Sequence, residues 1–232
     1  MQHYHNLPIP DSLADVCHPD RIALVVFDMQ VGVVGQLTDG TQITDRVKRV
    51  LDAARRAGVR VFYSRYMTLP TELMGISQLR TAMAWQRKNR VDDVVSPFRR
   101  DTPGFELVPE LAPLPSEAVF DRLSMSAFEG TPLEFALRDA QVTAFAIVGI
   151  ATEVGIEPTV RHGADRGLIP VVVTDACGAG NPAAAQRTLD ALAFTGDAIL
   201  TDISTITGLL AQATTGAPEP AGTEPAAQEG SR

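Results

Sequence analysis

The chain has 232 residues, 45% of them hydrophobic, enough for one sizeable core without calling for a second domain. Twenty Lys and Arg against 28 Asp and Glu leave a formal charge of −8, the wrong sign for a protein that binds by neutralising phosphates, and this excludes nucleic acid as a partner. No apolar run approaches the roughly 18 residues a membrane span requires, and MQHYHNLPIPDSL has no basic stretch leading into an apolar one, so a soluble, cytoplasmic protein without a membrane partner is expected.

Residues 1–19 read as an N-terminal arm carrying His3, His5, His18 and Cys17, with no metal-ligand spacing among them. A domain over 20–212 follows. Its apolar runs IALVVFDM (22–29), VRVFYSRY (59–66), EAVFDRL (117–123), TAFAIVGI (143–150), LIPVVVTDA (168–176) and DAILTD (197–202) scarcely alternate, which suits strands covered on both faces. Between them lie helix-period segments such as DRVKRVLDAARRAG, with Val47, Val50, Leu51 and Ala54 on one face and Gly58 placed as a C′ glycine. The pattern predicts an α/β fold: a Rossmann-like three-layer α/β/α sandwich around a mostly parallel six-stranded sheet.

The segment 67–110 is the least regular. It reads either as a solvated stretch with scattered charges or as a cover over the active face, with Arg87 or Arg90 meeting an anionic substrate. Further on, TPLE (131–134) has the form of a capping box, with Thr131 as N-cap, Pro132 at the first helical position and Glu134 reaching back. CGAGNPA (177–183) contains GxGxxA, but it follows the fifth run, and Asn181 with Pro182 explains it as a helix start. The end, 213–232, is rich in Pro, Gly, Ala and Thr and is expected to be disordered. Cys17 and Cys177 are too few for a disulfide framework and are taken as reduced.

Doubly wound sheets bind ligands outside the carboxyl ends of their strands. Three positions stand there: Asp28 closing the first run, Arg122 at the end of the third, and Gly155 in the turn after the fourth. A carboxylate at the end of an apolar run is partly desolvated, which raises its pKa and suits it to proton transfer, whereas a cation beside it lowers that pKa. By itself Asp28 reads equally as a helix cap or turn residue. Ser124 and Ser126 lie outside any GxSxG pattern and show no nearby His in sequence, which argues against a serine triad. Met125 and Phe128 read as packing.

The segments ALVVFDMQ, DRLSMSAFEGTPLEFAL, AFAIVGIATEVGIEPTVRHGADRG and IPVVVTDAC resemble the successive signatures of the isochorismatase-like, or cysteine hydrolase, superfamily over residues 20–205. The resemblance implies a catalytic Asp at Asp28, a Lys where Arg122 stands and, in most members, a nucleophilic Cys where Gly155 stands. Only the Asp is kept. Amide-cleaving relatives attack with the thiolate, a route closed here; Cys177 belongs to the next strand and reads as a small packed thiol. Isochorismatases proper also carry Gly at the third position and hydrolyse an enol ether by protonating its methylene carbon. That implies Asp28 as the acid, Gly155 leaving room for substrate or water and baring backbone N–H groups for an anion, and Arg122 as an electrostatic anchor. Their aromatic residue at Ala151 and the Arg inside their Lys-Trp-Arg-Tyr-Ser-Ala-Phe segment are absent.

The expected site is therefore Asp28, Arg122 and Gly155 for chemistry, with Gln30, Arg87, Ser126, Phe128, Ala151 and Thr152 touching substrate and with neither metal nor cofactor. The expected function is acid/base hydrolysis of a small anionic metabolite of the isochorismate type. The alternatives are a catalytically silent binding protein of this fold and an amide hydrolase in which Asp28 activates water. The resemblance further implies a homo-oligomer, dimer or tetramer.

Overall fold

In the computed structural model, residues 1–215 are described; the expected disordered tail lies, from residue 216 onward, outside the described residues. The arm opens with an antiparallel hairpin that the sequence did not announce, β1 (Gln2–Tyr4) and β2 (Leu7–Ile9), followed by the single turn α1 (Leu13–Val16). Every residue of the hairpin strands is exposed, so it has no apolar periodicity to read.

Six strands then form one sheet: β3 (Ile22–Phe27), β4 (Arg60–Tyr66), β5 (Ala118–Arg122), β6 (Ala144–Ile150), β7 (Ile169–Gly178) and β8 (Ile199–Thr201). Each falls on one of the six apolar runs, give or take two residues at the ends. Their order is β5-β4-β3-β6-β7-β8 and every pairing is parallel. The central strands β3 and β6 are buried along their whole length, which explains their unbroken apolar sequence.

One face of the sheet is covered by α3 (Gly40–Arg56) and α8 (Ile203–Thr215), through Val47, Val50, Leu51, Ile206 and Leu210. The other is covered by α5 (Leu133–Asp139), α6 (Glu157–Asp165) and α7 (Pro182–Thr195), through Leu133, Leu137, Val160 and Leu192. Together they make the α/β/α sandwich. The remaining helices are the short α2 (Val31–Val34) and α4 (Ile76–Gln86), the latter inside the irregular segment 67–110.

Helix ends follow local chemistry. Gly58 adopts φ 73° after α3, and the Val59 N–H returns to the Ala54 carbonyl at 2.9 Å. Asn181 caps α7, its Oδ1 accepting from the Ala184 N–H at 3.0 Å. The capping box at α5 does not form: Thr131 Oγ1 accepts from the Leu133 N–H, but Glu134 pairs with Arg138 and Arg166. Those two guanidiniums compete for the carboxylate that would have reached back.

After β3 the chain steps outward to β4 and β5, then jumps to β6 on β3's other side. The carboxyl ends of β3 and β6 thus flank the topological switch point, where an open sheet leaves its crevice. At this point Gly149 has φ 126°, and a β-carbon there would lie 2.0 Å from the Phe27 carbonyl oxygen.

Candidate active site

A cavity of about 490 Å³ opens at the switch point. Its walls include Asp28 after β3, Tyr66 at the end of β4, Arg122 at the end of β5, and Ala151, Glu153 and Gly155 in the turn after β6. Trp85 and Arg87, at the end of α4, close one side, so the irregular segment supplies part of the cavity wall. Arg87 ends α4 in a left-handed conformation, φ 52°. Arg90 does not line the cavity; it is exposed and pairs with Asp92.

Asp28 is buried and sits at φ 49°. Its Oδ2 accepts from Arg122 Nη2 at 2.7 Å, while its Oδ1 is enclosed with no protein partner. Burial and Arg122 pull its pKa in opposite directions, and burial prevails: the carboxyl is pushed up to about 6. Arg122, wholly inside the protein, packs its guanidinium over the Phe27 ring at 4.2 Å and near that of Tyr66 at 5.8 Å. Its Nε and Nη1 donate to nothing in the protein.

Gly155 lines the cavity but does not make the room expected of it. A β-carbon at this position would meet Phe27 Cε1 and Cζ at 2.5 Å and the Met125 carbonyl oxygen at 3.3 Å. The space a side chain would need is filled by the Phe27 ring. Nor are backbone N–H groups bare here: Thr152–Ile156 form a wide π-type turn in which the N–H groups of Val154, Gly155 and Ile156 converge on the Ala151 carbonyl at 3.1–3.2 Å. An anion seat on these amides is therefore taken. The regular helix α6 begins at Glu157, with Pro158 in its first turn, where a missing N–H costs nothing.

Four of the residues expected to touch substrate do not line the cavity. The Gln30 amide is spent on backbone, donating to the Tyr66 and Phe105 carbonyls and accepting from the Tyr66 N–H. Thr152 Oγ1 donates to the Gly178 carbonyl. Phe128 packs edge-on against Phe145 inside the core. Ser126 is buried, and its Oγ lies 3.0 Å from His162 Nδ1, a contact invisible in sequence. This pair is no triad, because His162 Nε2 accepts from the Arg166 guanidinium at 3.2 Å, a cation where a general base needs a carboxylate.

Sequence reasoning missed Met125, Tyr66 and Glu153. Met125, taken as packing, lines the cavity beside Gly155. Glu153 was legible in principle: a charged residue just past an apolar run, the same signal that singled out Asp28. Cys177 is half-buried in β7 with its thiol pushed up to about 12, far from the low pKa a nucleophile needs. Among the described residues no three His, Cys, Asp or Glu side chains gather as metal ligands, and no helix is long and apolar enough to cross a membrane.

Two sets of known proteins are similar to this chain. Ureidoacrylate amidohydrolase RutB of Cronobacter sakazakii is 27% identical over 186 residues, covering 73% of this chain and 79% of that protein. Its counterpart in Methylorubrum extorquens is 28% identical over 187 residues, covering 72% and 74%. Among solved structures, a cysteine hydrolase from Pseudomonas syringae pv. phaseolicola superposes with a TM-score of 0.72 at 26% identity, covering 84% of this chain and 95% of that one. The N-carbamoylsarcosine amidase from Thermoplasma acidophilum shares the fold, with a TM-score of 0.65 at 21% identity over 79% and 96% of the chains. The isochorismatase domain matches residues 22–204. With that match spanning most of its length, the chain belongs to the isochorismatase family of hydrolases.

Proposed function

We propose that this hydrolase works without a covalent enzyme intermediate, Asp28 moving the proton and Arg122 holding negative charge on a small carboxylate-bearing metabolite. The observation that carries the reading is Asp28 itself: a buried carboxyl in the cavity wall, pushed up to about 6, with one oxygen left without a protein partner. A group titrating there exists in both forms near neutrality, the condition for efficient acid/base catalysis. Arg122 cannot deliver a proton at working pH, so its part is to neutralise and orient. Its unpaired Nε and Nη1 are suited to a substrate oxygen. Arg87, at the side wall, suits the substrate carboxylate.

The relatives named for amidohydrolysis of ureidoacrylate favour a C–N bond as the one broken. In that reaction Asp28, as carboxylate, takes a proton from water; the hydroxide adds to the carbonyl carbon; the C–N bond then breaks and the proton passes to the departing nitrogen. A second reading is favoured by the same carboxyl in its protonated form. Protonation of an enol-ether methylene carbon gives an oxocarbenium-like species, which water converts to pyruvate and the freed alcohol.

The two readings differ in sign with pH. A base raises kcat/KM as pH rises through about 6, and an acid lowers it. Assays for ammonia from ureido acids and for pyruvate from isochorismate, run across pH with the parent and Asp28→Asn, separate them. The variant is expected to lose roughly 10²–10⁴ in rate together with the limb near 6; parent and variant behaving alike on every substrate removes the Asp28 mechanism. By the family resemblance we further propose a cytoplasmic homo-oligomer, dimer or tetramer; a monomer in sedimentation equilibrium rejects the assembly.

A further inference from the structure

Glu153 stands two residues before Gly155 on the wide turn and lines the cavity that holds Asp28, Arg87 and Arg122. One of its carboxylate oxygens is engaged: Oε1 accepts from the Asn181 N–H at 2.6 Å, tying the turn to the start of α7. Gly180 makes space for that contact, since a β-carbon there would lie 3.1 Å from Oε1. The other oxygen, Oε2, is enclosed and has no protein donor. Tying the turn to α7 needs only Oε1, so the second oxygen has no structural use.

The groups left unpaired in and under this cavity are of both kinds. Arg122 offers donors at Nε and Nη1; Asp28 Oδ1 and Glu153 Oε2 offer acceptors. A ligand that completes the set brings an oxygen for the guanidinium and an N–H for the carboxylates. A ligand with acceptors alone leaves Glu153 unpaired and facing like charge.

We propose that Glu153 determines specificity: its Oε2 accepts a hydrogen bond from a substrate N–H, so the cavity selects a ureide, amide or amine over ligands with only oxygen or methyl groups at that end. This rests on the cavity being the substrate site and deepens the C–N reading of it. Sites built to bond a substrate N–H reject the analogue lacking it far more strongly than sites that merely fit its shape.

The test compares N-carbamoyl-β-alanine with N-acetyl-β-alanine, which share the carboxylate, chain and carbonyl and differ as NH₂ against CH₃. Affinities are read by titration calorimetry on the whole protein, with ammonia assayed in the same cell. The parent is expected to bind the carbamoyl compound at least about tenfold more tightly. In Glu153→Gln the amide oxygen keeps the Asn181 contact and the NH₂ replaces Oε2, turning an acceptor into a donor. The preference should then fall to within about threefold of unity at an unchanged Tm. Equal affinities in the parent, binding of neither compound, or a preference that survives in the variant overturns the proposal. Because it is read from affinity and not turnover, its failure is distinct from that of Asp28 catalysis, which only the Asp28→Asn rates decide.

Discussion

At residue 155 a β-carbon would stand 2.5 Å from two atoms of the Phe27 ring, a ring that is itself fully buried and carries the Arg122 guanidinium on its face. Gly155→Ala should therefore cost about 1–3 kcal/mol by overpacking, read in urea denaturation. With Phe27→Leu in the same chain the cost should shrink, leaving the double variant about 1 kcal/mol or more better than the sum of the singles. Strict additivity would mean the ring yields freely. Asp28 gives a second expectation at this scale. Its folded pKa, about 6, exceeds the unfolded value near 3.9. The folded state thus holds the extra proton between these values, and the stability Asp28 contributes is full below about 4 and lost as pH rises through about 6. The parent should lose roughly 3 kcal/mol relative to Asp28→Asn across that window. A difference independent of pH would put the carboxyl's pKa near its ordinary value.

At the scale of elements, β3 and β6 approach so closely at the switch point that Phe27 pairs with Gly149 and leaves no room for a side chain. Gly149→Ala should cost at least about 4 kcal/mol, a large part of an ordinary domain's stability, because both a positive φ and a backbone clash oppose it. Far-ultraviolet circular dichroism against urea measures this; a midpoint near the parent's would show that the strands can part. The strands were legible because burial on both faces writes an unbroken apolar run, and Asp28 and Arg122 were legible because each closes one. Gln30, Ser126 and Thr152 stand off the cavity for a reason sequence does not carry. A polar side chain near a strand end serves substrate or its own backbone according to where it points, and here Gln30 and Thr152 bond carbonyls while Ser126 meets His162. Residues from 67–110 escaped assignment because α4 has no buried residue and hence no apolar period.

At the scale of the molecule, five strand ends, a half-exposed tryptophan and a π-type turn surround one cavity, and the resemblance of four short segments was enough to foretell the fold that holds them. The function was less legible, because the segments most like the family's are those that build the sheet, while the cavity walls come from between them. At the cavity wall, Phe27 and Gly155 are coupled by packing. A cysteine placed at 155 would collide with the ring, and a small residue placed alone at 27 would leave a void and take the platform from under Arg122. Each single change lowers stability where the double change relieves it, so a thiol can be built in at 155 only together with a smaller residue at 27.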